Sequence, residues 1–176
     1  MDSLVSGLTS IFFVAIVWSF FQMLITMVRG GKIRIEHRKE IKSRFPELSK
    51  KEIREREIEI VSYERRHMMS RAKTTTQEVS VVIVIAAMSA MIFADKGSLL
   101  FLGVSFTFAG ILFLCAPTQK DRKEFWEEYV KENPNNTWKP LVIENPKFDK
   151  NVRKGSIYFI VFGFGWVILQ ILRWVS

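Results

Sequence analysis

The sequence predicts an all-α polytopic membrane protein with four transmembrane helices and a helical, basic cytoplasmic region. Three observations carry that reading. The apolar residues, 48% of 176, fall in four blocks. The charged residues, 25% of the chain, lie almost wholly between those blocks. Of the 26 Lys and Arg residues, 15 lie in 29–77 and nine in 117–154. This layout excludes a single soluble globule, a disulfide scaffold (there is one Cys) and a disordered basic tail.

The first block, 4–28, is predicted as transmembrane helix 1. It carries no charge and is long enough to cross a hydrocarbon core of about 30 Å at about 1.5 Å per residue. It lacks a basic leader and ends in Val28-Arg29-Gly30-Gly31 rather than a small-residue cleavage site, so it reads as a retained anchor. Transmembrane helix 2 is assigned to 78–94, helix 3 to 98–116 and helix 4 to 155–175. The turn Asp95-Lys96-Gly97 makes helices 2 and 3 an antiparallel hairpin.

Orientation follows from the cations. Both long loops, 29–77 and 117–154, are expected in the cytoplasm and both termini on the opposite side. Arg173 and Trp174 suit an interfacial anchor. A bacterial inner membrane fits the absence of a secretory signal and of cysteines on the far side.

The first loop, 29–77, opens with Gly30-Gly31, which reads as a flexible joint. The segment 32–45 is ambiguous: Ile33 and Ile35 alternate as in a strand, whereas Ile41 and Phe45 are spaced as in a helix. Ser49-Lys50-Lys51-Glu52 matches a capping box. Neither Gly nor Pro occurs from Glu47 to Lys96, so one long helix is expected from about residue 50 into the membrane. Its weak point is expected at Thr74, Thr75 and Thr76, where β-branched side chains lower helix propensity. Ile58, Val61, Arg65 and Met68 form a narrow stripe on this helix, suited to one partner helix.

The second loop, 117–154, begins with a helix start at Pro117-Thr118-Gln119. Phe125, Trp126 and Tyr129 then share one side of an amphipathic helix. That helix could lie in the membrane interface or cover the long basic helix. Trp138 to Pro146 reads as extended.

Helix 2 carries Ala86, Ala90 and Ala94 at four-residue spacing, a row that lets another backbone approach closely. Gly103 and Gly110 of helix 3 are candidates to receive it, within the chain or between protomers. Ser19, Gln22 and Thr26 share a face of helix 1, as a hydrogen-bonding bundle stripe or as the lining of a pore on an oligomer axis.

No chemistry is visible. The spans hold no ionisable residue away from their ends, which argues against pumps and secondary transporters. Glu64-Arg65-Arg66-His67 has the Glu-x-x-His spacing of di-iron sites but no second pair to complete it. His37 reads as a solvent-exposed residue and Cys115 as a small apolar one. Asn135-Asn136-Thr137 is a sequon on the cytoplasmic side, where it would go unused. No cofactor, metal or catalytic residue is assigned. The basic loops point first to anionic membrane lipids, then to an acidic protein partner, with nucleic acid last.

The chain carries no family motif. In layout alone it is similar to small four-span membrane subunits of multi-gene bacterial systems, such as the membrane component of the Kiwa phage-defence system. The expected function is a non-enzymatic membrane subunit that homo-oligomerises and presents a helical cytoplasmic platform to a protein partner. The alternative is an oligomeric pore or channel.

Overall fold

The computed structural model describes residues 2–93, 98–134 and 146–175, with side chains throughout except at 2–6, 146 and 175. All regular structure among these residues is helical: α1 (Asp2–Arg44), α2 (Lys50–His67), α3 (Arg71–Phe93), α4 (Ser98–Leu114), α5 (Gln119–Glu132) and α6 (Pro146–Val175). Four stretches are long and apolar enough to cross a membrane, within α1, α3 and α6 and in the stretch that begins with α4. They point to an integral membrane protein. The turn 95–97, Ala94, the sequon and the extended segment up to residue 145 lie outside the described residues.

The four apolar helices pack in series. α1 packs on α6, α6 on α4, and α4 on α3. Among the described residues no other pair of the four packs closely. In this open row α6 is an inner helix, and its glycines explain why. A Cβ at Gly103 of α4 would lie 2.6 Å from the carbonyl oxygen of Gly163 in α6. One at Gly110 would lie 2.7 Å from that of Ser156. Gly163 returns the contact, against Gly103 and Thr107. On the α1 side, Gly165 leaves room for Ile16, where a Cβ would meet Cγ1 at 2.6 Å. Gly103 and Gly110 therefore receive α6 and not the alanine row of α3. In that row Ala86 is exposed, Ala90 is half-buried, and the buried alanine is Ala87.

Two expectations about the first loop are corrected. Gly30-Gly31 is no joint, because α1 runs through it for 43 residues, about 65 Å at 1.5 Å per residue. Gly30 instead permits a close approach. Asn151 of α6 sits where a side chain would project, 3.2 Å from the Cβ position, and donates from Nδ2 to the Thr26 carbonyl at 2.9 Å. The segment 32–44 is thus helical throughout.

The single long helix is interrupted at 68–70. Met68 closes α2, and Ser70 opens α3 by accepting from the Lys73 N–H at 3.4 Å and, through its carbonyl, from the Thr74 N–H at 3.0 Å. The threonines four to six residues on are accommodated within the helix. Thr74 and Thr76 donate their hydroxyls to the carbonyls of Ser70 and Ala72. The break thus falls before the threonines, which lie inside α3.

Candidate functional site

Outside the apolar row, α2 and α5 fold against the distal half of α1. α2 starts at Lys50 under a capping box. Glu52 N–H donates to Ser49 Oγ at 3.2 Å, and the Ser49 N–H donates to the Glu52 carboxylate at 2.7 Å. These bonds hold the Glu52 carboxyl below its usual pKa. α5 starts under a second box between Thr118 and Asp121, whose bonds likewise lower the Asp121 pKa. Its next amide, Gln119 N–H, is taken by both carboxylate oxygens of Asp149, at 3.0 and 2.9 Å, from the first turns of α6. The start of α5 is thereby fastened to the start of α6, with its first amides occupied.

The three helices meet around Ile41 of α1, Ile60 of α2 and Trp126 of α5, each nearly inaccessible to water. Phe45, Ile53, Tyr63, Phe125 and Tyr129 pack around them. Tyr63 sits within 5.3 to 6.0 Å of the rings of Phe125, Trp126 and Tyr129. Inside this aromatic set lies Glu64, 3% exposed. Its carboxylate accepts from Arg122 Nε at 2.8 and 2.9 Å and from Trp126 Nε1 at 2.8 Å. A buried carboxylate is costly unless it is paired and hydrogen-bonded, and this one is both.

Phe125, Trp126 and Tyr129 thus cover α2, the second of the two arrangements considered for this helix. The Glu64–His67 pair is otherwise engaged. His67 donates from Nδ1 to the Tyr63 carbonyl at 3.0 Å and stacks on the Tyr63 ring. Among the described residues no group of three His, Cys, Asp or Glu is placed to hold a metal ion.

The predicted stripe of α2 lies on a different face. Ile58 and Val61 are 57% and 54% exposed. Arg65 pairs with Glu78 across the α2–α3 break at 3.2 Å, and Met68 is half-buried. With Ile53 and with Ile35 of α1, Ile58 and Val61 line a groove of about 970 Å³. The same lining carries Arg38, Lys39, Lys42, Lys50 and Arg54, with Glu57 as its one acid.

A second, smaller cavity of about 370 Å³ lies between α1, α2 and the starts of α5 and α6. His37 lines it and is half-buried rather than solvent-exposed. Its pKa falls below the usual value because packing withdraws it from water, Glu57 and Glu40 opposing and Arg122 reinforcing the shift.

The polar stripe of α1 is turned onto α6. Ser19 and Thr26 are buried and donate to the carbonyls of Ile16 and Met23. Gln22 is half-buried. Cys115 is a free, half-buried thiol at the end of α4. Comparison with protein-family models, curated proteins and solved structures finds no match to this chain.

Proposed function

We propose that this chain is a non-enzymatic integral membrane subunit. It forms a homo-oligomer and offers its extramembrane helices, on the cytoplasmic side, as a docking platform for an acidic amphipathic helix of a protein partner. The observation that carries the reading is the α1–α2 groove. Four aliphatic side chains line it together with five cations against one acid. That charge balance suits an acidic occupant, and aliphatic side chains among the cations suit a helix with one apolar face.

The groove is held by rigid parts. α1 rises unbroken from its apolar half, and α5 clamps α2 from the other side through Glu64. Ile35 and Lys42 lie seven and 14 residues beyond Val28, about 10 and 21 Å at 1.5 Å per residue. The groove therefore stands at and beyond the headgroup layer, where a water-soluble partner reaches it. Self-association is supported by α3, whose exposed face holds Ala86 and so admits a second backbone. The arrangement fits a membrane sensor or anchor of a multi-gene bacterial system, phage defence included.

The test places a photo-crosslinking residue at Ile58 in cells and pairs it with native mass spectrometry of the gently extracted protein. The expected result is one polypeptide crosslinked at Ile58 and present at fixed stoichiometry. Ile58→Asp with Val61→Asp should remove it while insertion and self-association persist. A partner that survives the double substitution overturns the groove as docking site, and a monomer overturns the oligomer.

A further inference from the structure

The exposed side of α5 carries charge opposite to that of the α1–α2 groove. Glu124, Glu128 and Glu132 follow one another at four-residue spacing, and all three are exposed. They form one row along the helix, where like charges repel unless a cation answers them. Lys120 answers Glu124, at 3.6 Å. Among the described residues neither Glu128 nor Glu132 has a cation within ion-pair distance. The groove shows the converse. Arg38, Lys39, Lys42, Lys50 and Arg54 have no carboxylate within that distance among the described residues.

Within one chain the row and the groove do not meet. Ile41 and Ile60 pack with Trp126 of α5, whereas Ile35, Ile58 and Val61 line the groove on another face of the α1–α2 pair. α5 is also fastened where it lies. Glu64 holds it through Arg122 and Trp126, and Asp149 holds it through the Gln119 amide.

Between copies the heights agree. Ile41 lies 13 residues beyond Val28, about 20 Å at 1.5 Å per residue. Trp126 packs with Ile41, and Glu124 and Glu128 lie two residues to either side of Trp126. Lys39 and Lys42 flank Ile41 in turn. Copies that stand in one membrane thus present the acidic row and the groove at the same level.

We infer that the groove receives α5 of a second copy of this chain. This rests on the reading of the groove as the docking site of an acidic helix, and it names that helix. Glu124 and Glu128 of one copy would reach the cations of the other, a match of opposite potentials that fixes register. Because the two faces differ, the contact is head-to-tail and repeats from copy to copy.

The test is disulfide trapping between full-length copies in native membranes, with Cys115→Ser in every copy. One copy carries Ile58→Cys in the groove. A second, made larger by a tag, carries Lys131→Cys beside the acidic row. The expected result is a mixed dimer with one copy of each. Glu124→Lys with Glu128→Lys in the tagged copy should lower its yield about tenfold, because like charges then face each other. Lys39→Glu with Lys42→Glu in the groove copy should do the same. The two reversals together should restore the mixed dimer, which separates charge pairing from misfolding.

Absence of the mixed dimer overturns the self-docking, and so does a mixed dimer that ignores both reversals. The docking reading itself is judged separately, by a photo-crosslinker at Ile58. A crosslink from there to a different polypeptide, with none between copies, overturns self-docking and leaves the platform standing. No crosslinked product from Ile58 at all overturns both.

Discussion

Glu64 shows how one side chain can decide the packing of a helix. Its carboxylate is the common acceptor for Arg122 and Trp126, and so joins α2 to α5. Glu64→Ala takes the carboxylate away from a half-buried guanidinium and a buried indole N–H. The expected cost is about 3 kcal/mol, the low end of the cost of breaking a buried pair from one side, because the guanidinium left behind still reaches water. Thermal unfolding in detergent, with tryptophan fluorescence reporting Trp126, measures it. Glu64→Gln should cost less, since its amide oxygen still accepts from the indole. The exposed pair Arg65–Glu78 should contribute little, about 0–1 kcal/mol.

His37 supplies a pH dependence at the same scale. Its folded pKa lies below the ordinary 6.5, so between those values the unfolded chain binds the extra proton. Stability therefore rises with pH through this window. The contribution is complete above about pH 6.5 and is lost as pH falls toward the folded pKa. His37→Gln should flatten the slope of melting temperature against pH below about pH 6.5. An unchanged slope would place the titration elsewhere.

Among the elements, α6 depends most on small residues. Gly103, Gly110 and Gly163 let it lie against α4 so closely that any added Cβ would strike backbone. Gly163→Leu is therefore expected to separate α4 from α6. A disulfide-crosslinking pair placed across that interface should lose efficiency, whereas Gly31→Leu, with nothing within 4 Å of its Cβ position, should leave it unchanged. Ser49→Ala removes one acceptor of the α2 capping box and should cost about 0.5–2 kcal/mol. The row Ile53, Ile60, Tyr63 and Glu64 has helical spacing in the sequence, as does the exposed row of Ile58 and Val61. Pattern alone favoured the second because Glu64 reads as polar. Only the presence of Arg122 and Trp126 makes a carboxylate suitable for the interior.

At the scale of the whole molecule, the open row leaves most apolar surface uncovered. Only 11% to 28% of each apolar window is buried within the chain. Lipid or further copies must cover the rest, because exposed apolar area of this extent is not stable in water. Ala86→Trp adds bulk at an exposed position of α3 and should shift the native mass of the extracted protein toward the monomer without disturbing α3–α4 packing. An unchanged mass would place the contact between copies on another face.

Block length, cation placement, the capping box at Ser49 and the helix start after Pro117 were determined by the sequence alone, because each depends on residues near one another along the chain. The four apolar stretches, the start of α2 at Ser49 and the start of α5 at Thr118 were legible for that reason. The helix of α1 through Gly30-Gly31, the partner of Gly103 and Gly110, and the burial of Glu64 were not. Each of these is settled by a side chain distant in sequence: Asn151 beside Gly30, Gly163 and Ser156 against α4, Arg122 and Trp126 around Glu64. Glycine is permissive, and a buried charge is tolerable only when paired, so what such residues do is decided by the neighbours the tertiary structure brings to them.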